Sequence, residues 1–192
     1  MTIVLKVLIV LVVLIATILI FAATRPDTFR VQRSITINAA QAKIFPLIND
    51  LHAWDSWSPE DRKDASAATT FSGPVSGTGA TAEWDAKGRT GKGRMVIAES
   101  VPPTRIAVKA DFVRPFEAHN LNTFELQPAS EATTVTWSIQ ASNLYAMKLA
   151  GVFFNIQREF EKHVDSGLRN LKTQAEKNPV REPAATKNLT TD

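Results

Sequence analysis

The sequence predicts an α+β domain in which a curved antiparallel sheet of about seven strands wraps around one long C-terminal helix, with a membrane-spanning helix in front of it. Three observations predict it. Residues Ile3–Ala23 are almost wholly apolar. Between Phe29 and Ser142, short runs alternate apolar and polar residues and are punctuated by glycine, proline and small polar clusters, as antiparallel strands are. Beyond them, Leu149, Phe153, Ile156, Phe160, Val164, Leu168 and Leu171 recur at threes and fours and form one helical stripe.

A helix over Ile3–Ala23 would span about 30 Å, the thickness of a bilayer's hydrocarbon core. Lys6, the one charge in it, lies near an end, where its ammonium reaches the headgroups. A cleaved signal peptide is the competing reading. It has an apolar region of about 7–15 residues and an A-x-A-like site. This run is longer, and a cut after Ala23 would place Phe21 at the small-residue position. The expectation is therefore an uncleaved single-pass anchor. Arg25, Arg30 and Arg33, offset by Asp27, face Lys6 and the amino terminus across the membrane, an asymmetry too small to set the orientation. The chain divides into an anchor and linker over 1–26, a folded domain over 27–176 and a polar tail over 177–192 expected to be disordered.

Within the domain, Val31, Ile35 and Ile37 share one phase of a first strand, Phe29–Ile37. Asn38 is positioned to cap the next helix, with Gln41 completing a capping box. Ile44, Phe45 and Ile48 give that helix an apolar side, and Pro46 is expected to kink or restart it. LHAWDSWSP, residues 51–59, then spends two of the four tryptophans, Trp54 and Trp57, among turn formers. Short strands follow over TTFS, TGATAEW, GKGRMVIAES, RIAVKADFV, FEAHNLNTFELQP and TVTWSIQAS. The long helix is expected to start at Asn143. Gly167 inside it costs about 1 kcal/mol against alanine, and a close approach of helix to sheet is the expected compensation.

Several kinds of chemistry are excluded or unsupported. The net charge is +3 with basic residues scattered, so nucleic-acid binding has no footprint. There is no cysteine, hence no disulfide or thiol chemistry. His52, His119 and His163 are dispersed without ligand spacing, so no metal and no cofactor is expected. GRTGKGR, residues 88–94, lacks the serine or threonine and the following helix of a phosphate-binding loop, and reads as a hairpin turn. Glu83, Asp111 and Glu125 fall on the solvent phase of their strands. Glu99 shares the phase of Met95 and Ile97 at a strand end. No paired carboxylates and no Ser-His-Asp arrangement are visible.

The order of elements, with RSITINAAQAKIFPLIND, LHAWDSWSP, FSGPVSGTGATAEW, GKGRMVIAES and VDSGLRNLK, resembles the SRPBCC superfamily, also called START-like, and within it the polyketide cyclase/dehydrase-like group. The resemblance covers nearly all of 29–172. It implies the helix-grip (Bet v 1-like) fold, with a deep cavity between the long helix and the concave sheet. Trp54 and Trp57 would then close one mouth of that cavity or pack the edge of the core. Trp84, Met95, Phe124 and Trp137 would line it from the sheet, and Phe153 and Phe160 from the helix. Asn120 and Asn122 share the inward phase of Phe124 and Leu126, and need polar partners if buried. His52, beside the tryptophan pair, is a minor candidate for a base. The function expected is a membrane-anchored domain binding a small hydrophobic or amphipathic ligand, with lipids among the candidates. Two alternatives stand beside it: a cyclase-like enzyme using acid–base residues in the same cavity, and a structural or partner-binding module whose cavity is filled. The oligomeric state is not legible.

Overall fold

The alternation of apolar and polar residues resolves into seven strands of a single antiparallel sheet: β1 (Thr28–Ile37), β2 (Thr69–Ser72), β3 (Thr81–Asp85), β4 (Lys92–Val101), β5 (Arg105–Arg114), β6 (Ala118–Ala129) and β7 (Ala132–Ser142), in the order β1-β7-β6-β5-β4-β3-β2. The helices whose bounds lie within the described residues are α1 (Ile3–Ala23), α2 (Gln41–Asn49), a 3-10 turn over Leu51–Ser56, and α3 (Ile156–Glu176). This computed structural model describes residues 2–59, 69–86, 91–114, 117–142, 148–149, 151–152 and 155–177.

The sheet curves because β4 is irregular twice, between Lys92 and Gly93 and between Ile97 and Glu99. An extra residue bends a strand and reverses the facing of everything after it. Glu99 shows the consequence. By simple alternation it would follow Met95 and Ile97 inward. Beyond the bulge it pairs with Ala107, faces out, and meets Arg105 at 3.2 Å. Ser100 now faces in and donates to Asn49 Oδ1 at 2.7 Å.

The entry to α2 differs from the expected capping box. Ala40 is the N-cap residue, and no side chain caps the helix. The Asn38 N–H instead donates to Glu176 Oε1 at 2.7 Å, and Gln41 Nε2 donates to the Leu126 carbonyl at 2.8 Å. Tertiary partners thus take both groups the local motif would have used. Pro46 does not restart the helix, which runs through it as one nine-residue element. Its missing N–H is outweighed by the packing of Ile44, Phe45 and Ile48, all buried.

α3 is capped by Asn155, whose Oδ1 accepts from the Arg158 N–H at 3.0 Å. Asn143, the expected start, lies outside the described residues, as does Phe153; Lys148, Leu149, Gly151 and Val152 are helical ahead of the cap. α3 packs on β1, β7 and α2, burying Val164, Gly167, Leu168, Leu171 and Ala175. At Gly167 an added Cβ would lie 2.5 Å from Trp137 Cζ3, so glycine permits the close approach. Arg33 of β1 ties the seam to Glu161 at 2.9 Å and to Asp165 at 3.7 Å.

α1 stands apart from this core. Its mean hydropathy reaches 3.3, and of its side chains only Ala22 is buried. It is long and apolar enough to cross a membrane.

Candidate functional site

The tryptophan pair is positioned by an unfinished helix end. The last four carbonyls of a helix have no partner within it. In α2 they belong to Pro46, Leu47, Ile48 and Asn49. Asp50 N–H donates to Pro46 at 3.2 Å and Gly77 N–H to Asn49 at 3.0 Å. The other two are taken by indoles: Trp57 Nε1 reaches Leu47 at 2.8 Å, and Trp54 Nε1 reaches Ile48 at 2.9 Å. Each ring therefore satisfies a backbone carbonyl with its polar edge and presents apolar faces to the core.

Those faces join an aromatic cluster. Trp54 and Trp57 lie 4.9 Å apart between centroids, and Trp57 sits 6.1 Å from Phe124 and 5.9 Å from Trp137. Phe124 stacks on Trp137 at 5.0 Å. All four side chains are 4% exposed or less, so this end of the concave face is filled. Asn122 belongs to the same cluster, its Oδ1 accepting from Trp137 Nε1 at 3.1 Å. His163, on α3, meets the edge of Trp137 at 5.8 Å.

Further along the strands the concave face changes character. Register places Asn120 beside Ala110 of β5 and Ala141 of β7, and Ala110 beside Met95 of β4. The next row holds Phe112 and, across β4, Trp84, whose rings meet edge to face at 5.7 Å. Trp84 lies over Gly93, where a Cβ would come within 2.4 Å of its ring. Phe160 closes the β1 side against Phe29 at 4.9 Å. Phe29 and Phe112 were not singled out from sequence, although Phe112 shares the period-2 phase of Val108 and Ala110.

The structure thus divides the expected site residues into two groups. Trp54, Trp57, Asn122, Phe124 and Trp137 form the filled end. Trp84, Met95, Asn120 and Phe160 fall along the remainder of the concave face. His52 belongs to neither. Its ring is half-exposed, stacked on Phe71 at 3.8 Å, with Nδ1 2.8 Å from Asp50 Oδ1.

Charge is paired on the opposite face of the sheet. Arg94 meets Glu83 at 3.2 Å, Arg105 meets Glu125 at 3.0 Å, and Asp85 binds both Lys92 and Arg114. The hydrogen bond from Lys92, with Arg114 adding to it, holds the Asp85 carboxyl below the usual range. A hollow of about 320 Å³ opens here, its rim made by Thr70, Glu83, Asp85, Lys92 and Arg94. Its walls combine these mutually paired charges with Trp84, Gly93 and Val113.

His119 Nδ1 lies 2.6 Å from Asp111 Oδ1, and that hydrogen bond raises the imidazole pKa. A raised pKa means the protonated form is favoured by folding. Its contribution is complete below the unfolded value, about 6.5, and is lost as pH rises through the folded one. An NMR titration should place the His119 midpoint above that of an unstructured histidine, and Asp111→Asn should bring it down. An unchanged midpoint in Asp111→Asn would show that the pair does not form in solution. Among the described residues no cluster of histidine and carboxylate groups fits a metal.

Comparison with known proteins agrees with this architecture. The family described as "Polyketide cyclase / dehydrase and lipid transport" matches residues 28–176. No curated protein sequence matches the chain. Among solved structures, protein CV1439 from Chromobacterium violaceum is similar at 18% identity and a TM-score of 0.57, covering 80% of this chain and 100% of that one. The di-domain ARO/CYC BexL from the BE-7585A biosynthetic pathway is similar at 14% identity and a TM-score of 0.58, over 83% of this chain and 53% of that one. Ara h 8.0201 is similar at 10% identity and a TM-score of 0.55, over 79% and 99%. At such identities the likeness establishes the helix-grip fold and leaves the chemistry to the residues.

Proposed function

We propose that this chain, which belongs to the polyketide cyclase/dehydrase and lipid transport family of the SRPBCC superfamily, is a membrane-tethered binding domain that takes a small hydrophobic or amphipathic molecule, such as a lipid, against the concave face of its sheet. The observation that carries this reading is the segregation of charge. The ion pairs between strands, Glu83–Arg94, Asp85–Lys92, Asp111–His119 and Arg105–Glu125, lie on the outer face. The inner rows offer Trp84, Met95, Ala110, Phe112 and Asn120. A surface of this kind binds by burial of apolar area and orients with few polar groups.

The tether is supported by α1. Its exposed apolar side chains need a lipid environment, and only Thr24–Asp27 separate it from β1. Two contacts brace that short link: Arg25 lies over the Phe21 ring at 4.8 Å, and Lys148 pairs with Asp27. The hydrogen bond from Lys148 lowers the Asp27 pKa. A bilayer-derived molecule therefore has a short path to the domain.

The catalytic alternative has one observation on its side, His163 against Trp137. That contact is with an aromatic ring, and an acid–base mechanism needs titratable groups that converge on a substrate. The filled-module alternative is supported by the aromatic cluster, but that occupies one end of the face.

Native mass spectrometry of the full chain, extracted into lipid nanodiscs, tests the proposal. The expected result is an intact mass that includes residues 1–23, together with co-purified small apolar molecules exchangeable for added lipid. Processing after Ala23 would overturn the tether. Failure to take up any apolar molecule would overturn the binding function.

A further inference from the structure

The structure assigns Asn120 as the polar anchor of the binding face, an acceptor for a ligand that carries a hydroxyl or N–H group on an otherwise apolar body. The inference rests on the binding function proposed above and specifies its ligand class.

Asn120 and Asn122 stand two residues apart on β6 and point the same way, about 7 Å from one another along the strand. Their circumstances differ. Asn122 is 4% exposed, and its Oδ1 accepts the Trp137 indole N–H. The Asn120 Oδ1 is buried and has no hydrogen-bond partner. Its neighbours explain why. Directly across on either side are Ala110 and Ala141, both buried methyl groups without a donor. The diagonal positions hold Val108, Phe112 and Ile139, equally without one. Among the described residues, the sheet neighbours of this carbonyl are therefore all apolar.

A buried acceptor left in that state is costly, and buried polar atoms in folded proteins are nearly always paired. A ligand donor placed there would gain the hydrogen bond and remove the penalty together. A carboxylate or an ether offers only further acceptors and cannot pair with this Oδ1. The ligand class follows: alcohols, phenols or amides with a hydrophobic frame, in preference to ionised fatty acids or fully apolar chains.

The test compares 2-naphthol with 2-methoxynaphthalene, which share a ring system and differ in the donor. Binding to the full chain in nanodiscs is measured against empty nanodiscs, so that partition into lipid is subtracted. The native protein should prefer 2-naphthol by about 3–10-fold, the value of one hydrogen bond. Asn120→Leu, close to isosteric, should bind both probes alike and should melt a few degrees higher without ligand, because the orphan acceptor is gone. Equal binding of the two probes by the native protein overturns the assignment, as does a preference that survives in Asn120→Leu. Either result leaves apolar binding itself intact. If neither probe binds, the binding function fails and the assignment fails with it.

Discussion

Trp57→Ala is expected to lower the free energy of unfolding by about 3–5 kcal/mol, a large share of the roughly 5–15 kcal/mol that holds a domain folded. Two losses combine. Trp57 is 1% exposed and packs against Trp54, Phe124 and Trp137, so truncation opens a cavity the size of an indole. The walls of that cavity cannot easily collapse. Trp54 is held by its bond to the Ile48 carbonyl and Trp137 by its bond to Asn122. The second loss is the Leu47 carbonyl, which accepts from Trp57 Nε1 at the end of α2. Trp57→Phe separates the two, since it keeps most of the apolar bulk and deletes the donor. It should cost about 1–3 kcal/mol. Urea denaturation followed by circular dichroism reads both variants. An alanine variant within about 1 kcal/mol of the native chain would show that the cluster repacks freely and that the indole cap is dispensable.

The tryptophan pair also marks how far the sequence could be read. Its turn-forming neighbours, Asp55, Ser56, Ser58 and Pro59, show that the chain reverses direction there. They do not show that Leu47 and Ile48, ten and six residues upstream of their indole partners, have carbonyls in need of donors. The strands were legible because period-2 alternation is a local property. Facing was legible wherever that alternation is unbroken, as for Asn120, Asn122 and Phe124. It failed at Glu99, because the bulge beyond Ile97 has no signature in the residues themselves. The capping box at Asn38 failed for a related reason. Its donor found Glu176, 138 residues away, which no local motif contains. Asn120 and Asn122 carry identical sequence signals and have opposite fates, because the indole that satisfies Asn122 arrives from β7. Local patterns therefore gave the elements and the inward rows. Which inward groups are satisfied by the protein, and which are left for something else, depended on contacts between strands and helices distant in the chain.

Gly167→Ala sets two physical effects against each other, and the packing effect should win. In an exposed helix the change would stabilise by about 1 kcal/mol, because alanine loses less backbone freedom on folding. Here a Cβ would sit 2.5 Å from Trp137 Cζ3, closer than carbon atoms approach, and a tight 3.2 Å from Cη2. The indole cannot yield cheaply. Phe124 stacks on it at 5.0 Å, Trp57 abuts it at 5.9 Å, and Asn122 fixes its N–H. The adjustment falls instead on α3, which must back away from β7 and loosen Val164, Leu168 and Leu171. Overpacking of this kind costs about 1–3 kcal/mol, so the net result should be a loss of up to about 2 kcal/mol. A double-mutant cycle identifies the cause. In a Trp137→Phe background the reaching edge of the indole is gone, and Gly167→Ala should become neutral or favourable, as propensity alone dictates. If the alanine variant is destabilised equally in both backgrounds, the obstruction lies elsewhere and the close contact of α3 with Trp137 does not set the helix position.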